Sequence, residues 1–132
     1  MARLSYQTAG DKIAIVLSTM CAIHCLTLPV ALIAFPLLAT TFVGDEHFHG
    51  LLMWLILPTS ILALGLGCRR HKDQFVIGFG ILGLSLLVIM VMVGHDLFGE
   101  IGERVGTVFG SGFLISGHIR NHHLCRKDDC EK

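Results

Sequence analysis

Charged side chains fall in short islands along this chain, and the ground between the islands is apolar. No Asp, Glu, Lys or Arg lies between Lys12 and Asp45, from Gly50 to Cys68, or from Phe75 to Gly94. A helix of about 20 apolar residues crosses the hydrocarbon core of a bilayer, so each stretch predicts a membrane span. A further apolar stretch, "VGTVFGSGFLISG", runs from Val105 to Gly117. It reaches a crossing length only with Ile101 to Arg104 and His118 to Leu124 added at its ends, where Arg104 and Arg120 can snorkel to the interface. Its Gly102, Gly106 and Gly110 form a tandem GxxxG, a spacing that lets membrane helices approach backbone to backbone. The pattern predicts an all-α membrane protein, a four-transmembrane-helix bundle in one domain covering 1–132. The spans are expected at about 13–40, 50–68, 75–94 and 102–121, with a cytosolic tail at 122–132.

Composition agrees with this. Charged residues make up 15% of the chain and mean hydropathy is +0.71, against about 25% charged residues in ordinary soluble domains. The formal net charge of zero hides an asymmetry. With four spans, Arg3, Lys12, Arg69, Arg70, Lys72, Arg120, Arg126, Lys127 and Lys132 share one side, and Arg104 stands alone on the other. Basic loops stay in the cytoplasm, so both termini are predicted inside, N-in/C-in. The basic tail is short and has no aromatic interleaving, so it reads as a topology signal and no nucleic-acid partner is expected. Asp11 and the long apolar run after it argue against a signal peptide. The glycine faces offer a route to a homo-oligomer.

Polar chemistry enters the first span at "STMCAIHCLTLP", Ser18 to Pro29. Cys21 and Cys25 are spaced i, i+4 and Cys21 and His24 i, i+3, so a helix gathers them on one face, with Ser18 a turn earlier. Pro29 supplies no N–H to the carbonyl of Cys25, which predicts a kink and a freed oxygen beside the cluster. Pro36 is expected to act in the same way on Leu32, and Pro58 on Trp54. A cysteine or a proline alone is ordinary in a membrane helix. An ionisable histidine at mid-depth is a functional hypothesis by default, although His24 alone could simply bond a neighbouring helix. Thiolates select thiophilic ions such as Zn(II), Cu(I) and Hg(II), and three ligands on one helix leave a tetrahedral position open for exchange. The candidate metal ligands are therefore Cys21, His24 and Cys25.

Other donors lie at the two ends. "GDEHFHG" holds Asp45, Glu46, His47 and His49, and "GHDLFGEIGER" holds His95, Asp96, Glu100 and Glu103. Loops are polar in any case, but together these would make an acidic, imidazole-rich mouth that concentrates cations. His49 and Glu103 stand nearest the apolar spans. In the tail, Cys125 and Cys130 follow His122 and His123, and a cysteine pair in a reducing compartment points to metal binding over a disulfide. Cys68 and His71 form a C-x-x-H in the inner loop. His118 would complete the first-helix site if the fourth helix packs against it.

The motifs "CAIHCLTLP" and "CRKDDCE", in a four-span layout covering nearly the whole chain, resemble the MerC family of mercury-resistance membrane proteins. The resemblance implies a bacterial inner-membrane protein, multi-pass and not an enzyme. It implies that Cys21 and Cys25 receive Hg(II), and that Cys125 and Cys130 hand it to cytosolic thiols or mercuric reductase. No tightly bound cofactor is implied; the metal is cargo. Mercury transporters carry C-x-x-C in the first helix, whereas here His24 stands three after Cys21 and Cys25 follows. Hg(II) favours two thiolates in a line, while a cysteine–histidine set suits Zn(II)-like tetrahedral binding as well. Two rival functions remain at this point: a membrane thiol–disulfide oxidoreductase, which needs an accessible exchanging thiol, and a metal-sensing subunit that moves no ion.

Overall fold

The computed structural model describes residues 2–41 and 46–130; within them, the side chains of 2–8, 29, 32, 39, 46, 47, 49, 67–71 and 126–130 lie outside the described set. The protein is all-α. Helix α1 spans Ala2–Ala34, a 3₁₀ turn covers Pro36–Thr40, α2 spans Glu46–His71 and α3 Gln74–Ile89. A π-helical segment, Met90–Gly94, leads into α4, His95–Cys130. Two helical stretches are long and apolar enough to cross a membrane, Ala9–Leu28 and Gln74–Cys125, and Gly50–Leu66 is apolar but shorter.

The stretch Gln74–Cys125 is not one straight rod. Gly99 has φ 67° and ψ −179°, and the chain doubles back there. A positive φ of this kind suits glycine, which has no Cβ to clash. The pairing on either side of Gly99 runs in opposite directions. Gly94 lies against Glu103, Met90 against Gly106, Gly83 against Gly110, and Gly80 with Phe79 against Gly117. The glycines expected to form a close interface do so at Gly106 and Gly110, and their neighbour is α3 of the same chain. Gly102 instead abuts Phe98 beside the reversal. The route to a homo-oligomer through Gly106 and Gly110 is therefore occupied within the protomer.

The α3–α4 approach has a measurable consequence. A Cβ on Gly83 would stand 2.9 Å from the Gly110 carbonyl oxygen and 3.0 Å from the Leu114 nitrogen, both backbone atoms. Gly83→Ala is therefore expected to lose about 1–3 kcal/mol of stability, as overpacking does. A Cβ on Gly78 meets nothing within 4 Å, so Gly78→Ala should match or exceed the parent. Unfolding of both variants in mixed micelles checks this, and equal stability of the two would refute the close packing.

Pro36 corrects the expected first span. The residue before a proline avoids the α region, and Phe35 takes φ −135° and ψ 80°. The last α-helical hydrogen bond runs from Phe35 N to Ala31 O at 2.8 Å, so α1 stops at Ala34 and does not continue kinked to residue 40. Pro36 opens the 3₁₀ turn, where its missing N–H is not needed. The helix assignment runs unbroken through positions 29 and 58. At the other end, Asp73 caps α3, its side chain accepting from Val76 N at 3.0 Å. The segment 122–130, within the tail expected at 122–132, is helical and forms the last part of α4.

Surface and interior are inverted relative to a water-soluble protein. Ile33 is 83% exposed and Trp54 78%, and Val16, Leu26, Leu62, Ile81, Ile101 and Phe109 are also exposed. Asp11, Ser18, Ser60, Thr107, Ser111, His118 and Asn121 are fully buried. Contiguous apolar surface of this kind is stable against lipid, and an interior polar group then has to find its partner within the protein. The apolar core cluster includes Cys21, Cys25, Leu52, Met53, Ile56, Leu87 and Leu114.

Candidate metal site and buried polar network

The first-span thiols meet as their spacing predicts. Cys21 is 0% and Cys25 5% exposed, and their side chains are hydrogen-bonded to each other. From α4, the fully buried Ser111 is an electrostatic neighbour of the Cys21 thiol, and its hydroxyl makes no hydrogen bond among the described residues. His24 faces elsewhere. Its ring centroid lies 4.9 Å from that of Phe48 on α2, tilted by 48°. The helical geometry separates them: position 24 is about 60° from 21 and 100° from 25 around the axis. Among the described residues no group of three or more His, Cys, Asp or Glu side chains could hold a metal ion together. What the described residues assemble is a pair of adjacent buried thiols.

One helical turn after another toward the chain ends, a second constellation appears. Asp11 on α1, Ser60 on α2, and His118 and Asn121 on α4 are all fully buried. Asp11 Oδ1 and His118 Nδ1 are 2.9 Å apart, and His118 Nε2 is 3.1 Å from Ser60 Oγ. Asn121 Nδ2 donates to Asp11 Oδ1 at 2.9 Å and Oδ2 at 2.8 Å. Both carboxylate oxygens and both imidazole nitrogens are thus engaged, which an ionisable group in a dry interior requires. With Nδ1–H donating to Asp11, Nε2 accepts from Ser60 in a neutral ring and donates to it in a protonated one.

This arrangement relocates His118. Helix α4 does pack against α1, but it brings His118 to Asp11 rather than to the thiols. Asp11 and Cys21 are ten residues apart on one helix, about 15 Å along its axis. In the sequence, Asp11 argues only against a signal peptide, and nothing singles out Ser60. The available signal was a lone acid at the edge of a charge-free run, with a His and an Asn at i, i+3 in another span.

The remaining candidates divide between the two ends of the helices. At one end, His95 Nδ1 and Glu103 Oε2 are 3.5 Å apart, and Glu100 pairs with Arg104 one turn on. Asp45 lies outside the described residues, as do the side chains of Glu46, His47 and His49. At the other end, Arg120 reaches Asp73 with two hydrogen bonds, at 3.0 and 2.9 Å, and lies over the Phe75 ring at 4.8 Å. The guanidinium, joined by the Val76 N–H, holds the Asp73 carboxyl down to about 2. Arg120, expected to snorkel, is an interhelical clamp.

Cys125, expected in a cytosolic tail, is fully buried within helical α4. The side chains of Cys130, Cys68 and His71 lie outside the described residues. Positions 125 and 130 are five apart on a helix, about 140° around its axis, so they do not share a face.

The family model described as MerC mercury resistance protein matches residues 11–123. No curated protein and no solved structure matches the chain. The matched segment begins at Asp11 and contains Cys21, Cys25, Ser60, Ser111, His118 and Asn121.

Proposed function

The chain belongs to the MerC family of mercury-resistance membrane proteins, and we propose from this that it binds a thiophilic metal ion at Cys21 and Cys25 and carries it inward across the bacterial inner membrane. The single observation behind the reading is the pair of adjacent thiols, buried and mutually hydrogen-bonded in an apolar helix. Two such thiols satisfy a linear two-coordinate ion without a third group. Binding Hg(II) forms two S–Hg bonds and releases both thiol protons, so the loaded site gains no net charge in a low-dielectric setting. His24, turned to Phe48, stands beside that pair and not between its sulfurs. This favours Hg(II) over a tetrahedral Zn(II)-like ion.

In this reading the four helices cross the bilayer N-in/C-in. The ends carrying Lys12, Lys72 and Arg120 face the cytosol, and those carrying His95, Glu100 and Glu103 face outward. Cation entry is helped by the acidic groups near His95, with His49 and Glu103 as entrance ligands. Transfer then proceeds by exchange of one thiolate for another, so no bare ion crosses hydrocarbon. On the inner side, Cys125 and Cys130 pass the ion to a cytosolic thiol acceptor such as mercuric reductase. In this reading they act in succession, one thiol at a time.

Radioactive Hg(II) uptake by inverted and right-side-out membrane vesicles tests the reading. Right-side-out vesicles bearing the parent protein should accumulate Hg(II) above empty-vector vesicles. The Cys21→Ser/Cys25→Ser variant, present at equal level, should fall to the empty-vector rate. Equal accumulation by parent and variant would sink the mechanism.

A further inference from the structure

Most helical hydroxyls of this protein with a described bond turn back onto their own helix. Thr27 donates to Ile23 O at 2.7 Å, Thr59 to Leu55 O at 2.6 Å, Thr107 to Glu103 O at 2.8 Å and Ser116 to Gly112 O at 2.9 Å. That bond to the residue four before is the default for Ser and Thr in a helix without water. Ser111 does not make it. It is fully buried, and its hydroxyl has no hydrogen-bond partner among the described residues. A buried hydroxyl left in that state is costly, so its orientation calls for a reason.

The register of α1 against α4 supplies one. Asp11 is bonded to Asn121. Moving ten residues up α1 reaches Cys21, and ten residues back along antiparallel α4 reaches Ser111. The side-chain contact of Ser111 with Cys21 agrees with that register. A buried, unpartnered hydroxyl from a second helix thus stands beside one sulfur of the thiol pair.

We infer that Ser111 is a positioning residue of the metal site, donating its hydroxyl hydrogen bond to the Cys21 sulfur of the loaded site and lying close enough for a side chain at this position to join the coordination shell. The inference rests on the reading of Cys21 and Cys25 as the metal ligands. A metal-bound thiolate keeps lone pairs that accept hydrogen bonds, and groups supplying them orient the ligand and tune affinity. Ser111 provides that bond from α4, so loading the thiols of α1 also ties α1 to α4. Cys25, its thiol already bonded to Cys21, needs no such partner from α4 when the site is empty.

The test uses purified full-length protein in detergent with Hg(II), read by thiolate-to-mercury charge-transfer absorption and X-ray absorption at the mercury edge. The parent should show a two-coordinate Hg–S₂ centre. Ser111→Cys should convert it at alkaline pH to a three-coordinate Hg–S₃ centre. Ser116→Cys, on the same helix but exposed, should leave it two-coordinate. Ser111→Ala should keep the two-coordinate spectrum but weaken Hg(II) affinity about 10-fold in competition with a small dithiol, within the range for second-shell partners. A two-coordinate Ser111→Cys centre, or a Ser111→Ala affinity equal to the parent's, overturns the inference and leaves the thiol-site reading standing. Hg(II) binding by the parent that survives Cys21→Ser/Cys25→Ser overturns both.

Discussion

Asp11→Ala is expected to remove about 3–5 kcal/mol of folding stability. The substitution takes the shared acceptor away from the His118 ring and the Asn121 amide, whose other partners include Ser60 Oγ and, at 3.5 Å, the Ala63 carbonyl oxygen. An ordinary interhelical hydrogen bond in a membrane protein averages only about 0.6 kcal/mol, because the unfolded chain in the bilayer finds other partners. Asp11 differs in holding two residues at once with both of its oxygens, and in joining α1 to α4 where α2 also enters through Ser60. Replacing Asp11, His118 and Asn121 together with leucine should recover part of the loss, since of the network's side chains Ser60 alone is left, and its hydroxyl can turn to a carbonyl one turn back on its own helix. Reversible unfolding in mixed micelles measures both variants. A loss below about 1 kcal/mol for Asp11→Ala would place the network among ordinary interhelical bonds.

The parts of this structure that were legible in the sequence are those fixed by one helix at a time. Charge-free stretches located the apolar helices, and the polar island from His95 to Arg104 located the reversal that falls at Gly99. The i, i+4 spacing of Cys21 and Cys25 placed two thiols side by side, because that neighbourhood is a property of the helix itself. What was not legible depends on which face meets which helix. Gly106 and Gly110 announced a close contact but not its partner, and α3 of the same chain fills it. His118 announced a buried imidazole near the first helix but not its register, and a shift of about three turns separates Asp11 from the thiols. His24 shares a turn with the cysteines yet faces α2, a difference of less than a third of a rotation that spacing alone does not decide. Pro36 suggests a kink from sequence, whereas the extended backbone it imposes on Phe35 ends α1 at Ala34. The buried position of Cys125 follows from α4 continuing past the apolar run, which its polar residues after Gly117 conceal.

Cys25→Ser and His24→Ala are expected to differ sharply in Hg(II) affinity, and the difference decides which ion the site was built for. Ligand contributions at structural zinc centres amount to about 3 kcal/mol each, or roughly 100-fold in affinity, and a two-ligand mercury site has no other ligand to share the loss. Cys25→Ser should therefore weaken Hg(II) binding by at least roughly 100-fold. His24→Ala removes a ring packed on Phe48, so its Hg(II) affinity should stay within about 3-fold of the parent's. The same pair of variants assayed with Zn(II) separates the alternatives. If His24 swings from Phe48 to complete a tetrahedral centre, His24→Ala and Cys25→Ser will weaken Zn(II) by similar factors, and the parent will bind Zn(II) in competition with Hg(II). Swinging the ring costs its contact with Phe48, on the order of 1 kcal/mol, which a divalent ion short of ligands would readily offset. A linear two-thiolate ion gains nothing from that movement. Insensitivity of Hg(II) to His24→Ala, together with weak Zn(II) binding by the parent, is the outcome expected of a mercury carrier with a histidine beside its thiols. A loss of Hg(II) affinity as large for His24→Ala as for Cys25→Ser would make the imidazole a ligand after all.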